Sequence, residues 1–236
     1  LMLYSSLVSG YPLLQSYTLA LALQSGTVVS ATLYLWREVR DILFGRDRRL
    51  LMFIAISTLC TALTGVPLYM LFTELFRFES IGVGPLTMAI GLLFLFQATV
   101  AGRAKPGVKR AGNISVVDSI IFGFMQGLAA TPGISRSGIT IATALYMGYR
   151  VEDSLKLSFL ASIPANLGAL TLTLLQGQGI IRIGLGELAP LAISAITGFI
   201  AIRYLIHLAV KHHHRLILAL GIATVSVSLA IMGIQH

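Results

Sequence analysis

Charge is what this sequence has least of. Only 11% of its 236 residues are Asp, Glu, Lys or Arg, where soluble globular chains carry roughly a quarter. That shortage excludes an ordinary cytoplasmic domain, a disordered chain and a nucleic-acid binder. Cysteine is nearly absent: Cys60 stands alone in an apolar run, which excludes an intrachain disulfide and a thiolate metal cluster. Acids are scarcer than bases, 9 against 17. The chain also opens Leu1-Met2-Leu3, without an initiating methionine, a basic n-region or a small-residue cleavage site, and so reads as a fragment lacking upstream residues.

What is there is apolar, with 56% hydrophobic residues and a mean hydropathy of +0.86. A helix needs about 20 apolar residues to cross a hydrocarbon core of about 30 Å. Tyr17 to Trp36, Leu50 to Thr73, Ile81 to Ala101, Leu157 to Gln176 and Leu216 to Gln235 meet that length. Leu188 to Val210 makes a sixth, with Arg203 near enough to its end to snorkel. Two shorter apolar stretches, Ser119 to Thr131 and Ser137 to Tyr149, meet at Pro132-Gly133. Stretches of that size are re-entrant more often than spanning. The expected fold is an all-α polytopic membrane protein, a single domain over 1–236, with about six transmembrane helices plus a re-entrant helix hairpin.

The net charge of +8 is first a question of which membrane face carries the bases. Loops 37–49, 102–112, 149–156 and 211–215 hold thirteen of the 17 Lys and Arg, and alternating passes put all four on one face. That face is predicted cytoplasmic, with the C-terminus outside. Leu3-Tyr4-Ser5-Ser6-Leu7 with Tyr17-Thr18-Leu19-Ala20 is echoed by Ala144-Leu145-Tyr146-Met147 with Ser158-Phe159-Leu160-Ala161. Three crossings separate the copies, so an inverted repeat is expected, 1–101 being the remainder of the first and 113–236 the second. Inverted repeats with broken helices place sites near the midplane.

The segment with most chemistry is Gln126 to Thr140, whose centre reads Pro132-Gly133-Ile134-Ser135-Arg136-Ser137-Gly138. Pro132 ends one short helix and Gly133 permits the turn, leaving Ser135 to cap the next helix. The N–H groups of Arg136, Ser137 and Gly138 are then expected as unpaired first-turn donors, and such a helix start attracts anions. Arg136 adds a planar fork that matches phosphate oxygens. Ser135 and Ser137 add hydroxyls, and Thr140 follows one turn beyond Arg136 on the same face. An arginine at membrane depth costs about 2.5–3.5 kcal/mol even on lenient scales, so it marks function by default. The competing reading is an arginine that snorkels from a shallow loop.

Gly123-Phe124-Met125-Gln126-Gly127-Leu128-Ala129, followed by Pro132-Gly133-Ile134-Ser135-Arg136-Ser137-Gly138-Ile139-Thr140, resembles the PGxSRSxxT signature of the undecaprenyl-diphosphate phosphatase (BacA) family of bacitracin-resistance proteins. Ser158 to Ala165 is similar to the family's segment after that motif, and the resemblance runs along the whole chain. It implies removal of the terminal phosphate from a polyprenyl diphosphate lipid in the plasma (inner) membrane, recycling a carrier for cell-wall glycan synthesis. By position, Arg136 would hold the diphosphate, with Ser135, Ser137 and Thr140 assisting. Gly133, Gly138, Gln126 and Asn166 would contribute to substrate binding. The family's E-x-x-x-E stretch and serine-rich segment ending in Gly-His are absent, and the chain reads as starting immediately after them. A divalent cation, Mg or Ca, is implied by resemblance only, with its ligands expected in that missing segment; a fragment without them is expected to be inactive. The implied partners are the lipid substrate, the bilayer and a second copy in a homodimer.

Other residues have plainer readings. Asp118, at the start of its short helix, is expected to stabilise that N-terminus rather than to catalyse. Asn166 touches substrate or hydrogen-bonds a neighbouring helix. His212-His213-His214, flanked by Lys211 and Arg215, fits a headgroup-facing loop better than a metal site. Glu74, Arg77 and Glu79 fit a solvated turn. Asn113-Ile114-Ser115 matches a glycosylation triplet on the wrong side of the membrane. Gly82, Gly84, Gly91, Gly168 and Gly198 are expected to allow close helix packing. The rival function is a polyprenyl-phosphate flippase, which would use the same arginine to move the lipid instead of cleaving it.

Overall fold

The computed structural model describes residues 26–77, 107–131, 134–175 and 192–204. The regular structure among them is helical: α1 (26–34), α2 (Trp36–Leu43), α3 (Arg48–Arg77), a 3-10 turn (Ala111–Asn113), α4 (Val116–Leu128), α5 (Arg136–Tyr146), α6 (Val151–Leu175) and α7 (Ala192–Tyr204). An isolated parallel bridge joins Lys109 to Tyr149. Among the described residues, two helices are long and apolar enough to span a membrane, over Arg48–Phe72 and Val151–Leu172. Of the other expected spans, α1 lies within Tyr17–Trp36 and α7 within Leu188–Val210. Ile81–Ala101, Leu216–Gln235, the first repeat copy and the three histidines fall outside the described residues.

Two expected loops are helical instead. Segment 37–49 contains α2, because Val39 and Ile42 recur on one face and pack on the core while Arg37 and Arg40 face out. Gly45, at φ +65°, follows that helix, and the Asp47 carboxylate accepts the Leu50 N–H at 3.0 Å to start α3. Segment 149–156 belongs mostly to α6, which begins at Val151 with Glu152 and Asp153 in its first turn. Acids are favoured against the positive end of a helix, so these charges open the span rather than delimit it. Lys156 then lies on the helix, 2.6 Å from the Glu38 carboxylate.

Helix α4 packs along α3 in parallel. The Phe53 and Phe122 rings meet edge to face at 5.1 Å, and Thr61 Oγ1 donates to the Gly123 carbonyl at 3.0 Å. A Cβ on Gly123 would sit 2.5 Å from Ser57 O, and one on Gly127 would strike Thr64. Small residues permit this approach. Helices α1 and α7 are also parallel: Ser30 donates to Ala195 O at 2.6 Å, and Tyr34 meets Phe199 at 6.1 Å. Gly198 lies against Ser30 as a packing glycine should, whereas among the described residues a Cβ on Gly168 would meet nothing within 4 Å.

The segments around 38–49, 107–113 and 148–156 converge on one end of the bundle. Arg49 donates to Gly112 O at 2.9 Å, Lys109 N to Gly148 O at 3.0 Å, and Ala111 N to the Asp153 carboxylate at 3.0 Å. A core of Leu35, Leu50, Phe53, Phe122, Tyr149 and Leu157, with smaller neighbours, fills the space beneath them. Three of the four basic segments therefore meet at one end of the described helices.

Candidate functional site

The break between α4 and α5 lies deep in the bundle. Helix α4, with 13 residues, and α5, with 11, span about 20 and 16 Å at 1.5 Å per residue, too short for a core of about 30 Å. Gly127 packs at Thr64, 16 positions into the 30-residue α3, so α4 ends near the middle of its neighbour. Helix α5 returns towards the basic end and joins α6 through a turn in which Gly148 has φ +86°. Thr140 meets Ser158, seven residues into α6, so Arg136 one turn higher lies about 16 Å from the start of α6.

Local sequence explains each end of this hairpin. Ser115 accepts the Asp118 N–H at 3.0 Å and Asp118 accepts the Ser115 N–H at 3.4 Å, forming a capping box. Ser135 caps α5 as expected, accepting the Gly138 N–H at 3.2 Å. That bond removes Gly138 from the three unpaired donors foreseen in the sequence; the Ser137 N–H remains. The Ser135 and Ser137 hydroxyls are 3.5 Å apart, Ser137 being exposed and Ser135 half-buried. Arg136 is half-buried between them and is not a free surface side chain. Pro132 and Gly133 lie outside the described residues.

The remaining candidates sit beneath this cradle. Gln126, only 2% exposed, donates from Nε2 to the Ala161 carbonyl at 3.2 Å, in the turn that Pro164 disturbs. A carbonyl only accepts, so the amide orientation is fixed, and Oε1 is left as a buried acceptor without a partner. Ala161 is ten residues into α6, so Gln126 and Arg136 lie at nearly the same depth. Asn166 is 6% exposed and its Nδ2 is unpartnered, so neither helix-bridging nor any other contact explains that donor. Thr140 is fully buried and its hydroxyl faces Arg136 O and Ser158 rather than open space.

Sequence reasoning missed what surrounds Asp118. The Tyr149 hydroxyl donates to its carboxylate at 2.7 Å, and Lys109 Nζ lies 3.7 Å away. Burial pushes the Asp118 carboxyl up, but hydrogen bonds from Tyr149 and Ser115 and the Lys109 charge outweigh it and hold the group below its ordinary 3.8. Burial and the same carboxylate raise Tyr149 well above its usual value. The only sequence signal was an aromatic beside Arg150. Among the described residues no three His, Cys, Asp or Glu side chains come together, so these residues do not fit a divalent cation.

Known proteins bear on this geometry. The family model described as bacitracin resistance protein BacA matches residues 1–226. An undecaprenyl-diphosphatase of Sulfurisphaera tokodaii is 32% identical over 208 residues, covering 86% of this chain and 78% of that protein. One from Haloarcula marismortui is 37% identical over 225 residues, covering 87% and 80%. One from Methanothrix thermoacetophila is 34% identical over 177 residues, covering 75% and 67%.

Proposed function

Because the chain belongs to the bacitracin resistance protein BacA family, we propose that it hydrolyses undecaprenyl diphosphate to the monophosphate and inorganic phosphate at the break between α4 and α5. The observation that carries this reading is the depth of that break. A capped helix start bearing Arg136 lies about half-way along α3, at a depth where a cation is costly to hold and where its planar fork suits the oxygens of a lipid diphosphate.

The hairpin α4–α5 fills only the basic half of the bundle. Helices α3 and α6 continue past it by about 20 Å each, so the diphosphate enters from the other end while the prenyl tail stays among lipid-facing helices. Arg136 holds phosphate oxygens in its fork, assisted by the Ser135 and Ser137 hydroxyls, the Ser137 N–H and the positive end of α5. These groups neutralise charge as the diphosphate is cleaved, the usual main source of acceleration in phosphoryl transfer. A divalent cation, held by residues other than the described ones, belongs to this reading.

The basic segments face the cytoplasm under the positive-inside rule, and the site opens to the exterior. The parallel pairs α3 with α4 and α1 with α7 agree with six passes and with an inverted repeat, both of which remain part of the proposal. The full-length protein, reconstituted in vesicles with labelled undecaprenyl diphosphate, tests hydrolysis against lipid movement. Phosphate release with little transbilayer movement supports the reading; movement of intact lipid without release overturns it.

A further inference from the structure

Three hydroxyls on α6 sit in similar apolar surroundings, and one behaves differently. Ser154 bonds back to Arg150 O at 2.9 Å and Ser162 to Phe159 O at 2.7 Å, the ordinary use of serine in an apolar helix. Ser158 instead meets Thr140 Oγ1 across the helix boundary at 2.7 Å, and no bond ties it to its own helix. Ser158 is 3% exposed and Thr140 is fully buried.

The proton count gives this contact a direction. The Thr140 hydroxyl has one proton, and its shortest acceptor that cannot donate is Arg136 O at 2.7 Å, against 3.3 Å to Ser137 O. With Thr140 donating to Arg136 O and Ser158 donating to Thr140, both hydroxyl protons are used, whereas the reverse order leaves Ser158 without an acceptor among the hydrogen bonds of the described residues. The chain Ser158 to Thr140 to Arg136 O is short, buried and one-way, and it ends on the backbone that carries the guanidinium.

We propose that Ser158 is a positioning residue: through Thr140 it fixes the rotation of the first turn of α5, and so aims Arg136 and the Ser137 N–H at the phosphate. It touches no substrate itself. This rests on the hydrolytic reading for its consequence but not for its geometry, so its test has one arm that needs no substrate.

In that arm, amide hydrogen exchange of the full-length protein in detergent compares wild type with Ser158→Ala and Ser158→Cys. Exchange should rise in peptides covering 136–142 and stay unchanged over α3 and α4, with Cys, of similar size but a weak donor, falling between. In the second arm, phosphate release from undecaprenyl diphosphate is measured for Ser158→Ala, Thr140→Val and the double variant. Each single change should lower kcat about five-fold, as expected for one buried neutral hydrogen bond. The double variant should be no slower than either single one. Unchanged exchange in α5, or rate losses that multiply in the double variant, overturns the positioning role. If wild type releases no phosphate, the hydrolytic reading fails while the exchange arm still decides this one.

Discussion

The Tyr149 hydroxyl and the Asp118 carboxylate, 31 positions apart, share a 2.7 Å hydrogen bond that ties the start of α4 to the start of α6. Hydrogen bonds to charged groups contribute about 1.5–3 kcal/mol, so Tyr149→Phe should lower stability by about that much in a detergent unfolding titration. The pair also sets a pH window. Asp118 is held below 3.8 when folded, so its contribution is complete above that value and is lost as pH falls through the lowered folded value. Tyr149 is held above 10.0, so its contribution is complete below 10 and is lost as pH rises beyond it. Stability should be flat between, and Tyr149→Phe should weaken the alkaline loss.

Two glycines should respond in opposite ways. A Cβ on Gly123 would lie 2.5 Å from Ser57 O and 2.7 Å from Cys60 Cβ, so Gly123→Ala should cost about 1–3 kcal/mol through forced separation of α3 and α4. A Cβ on Gly168 meets nothing within 4 Å among the described residues, so Gly168→Ala should stabilise α6 by about 0.4–1 kcal/mol. Paired melting curves of the two variants check both signs.

Sidedness can be read chemically because Cys60 is the one cysteine and is buried. Cysteines placed at Arg46, Arg110 or Arg150, all exposed at the basic end, should react with an impermeant maleimide in inside-out vesicles and not in intact cells. Labelling from the cell exterior at any of the three would reverse the assigned orientation.

Activity of the full-length protein should fall by more than ten-fold after chelation and return on adding Mg or Ca. Phosphate release that persists unchanged in excess chelator would remove the cation from the account.

What could be read from the sequence was what is decided locally. Ser135 as a cap and Asp118 at a helix start depend on three or four neighbouring residues, and both stand. The starts of α2 and α6 differ from the loops expected there because Glu38, Glu152 and Asp153 look like loop residues until the helix N-terminus that favours acids is known. Ser158 could not be told from Ser154 or Ser162, since its partner lies 18 positions away on another helix. Gly168 likewise resembles Gly198, and only the neighbour among the described residues, absent for one and Ser30 for the other, distinguishes them.

The most direct test is phosphate release from undecaprenyl diphosphate by the purified full-length protein and its Arg136→Ala and Arg136→Lys variants, with folding checked by melting temperature. Loss of a preorganised charge-stabilising group costs about 100- to 1000-fold, so Arg136→Ala should lose activity on that scale while melting like wild type. Arg136→Lys should recover only part, for want of a planar fork. An Arg136→Ala variant that hydrolyses the lipid at the wild-type rate would contradict the account.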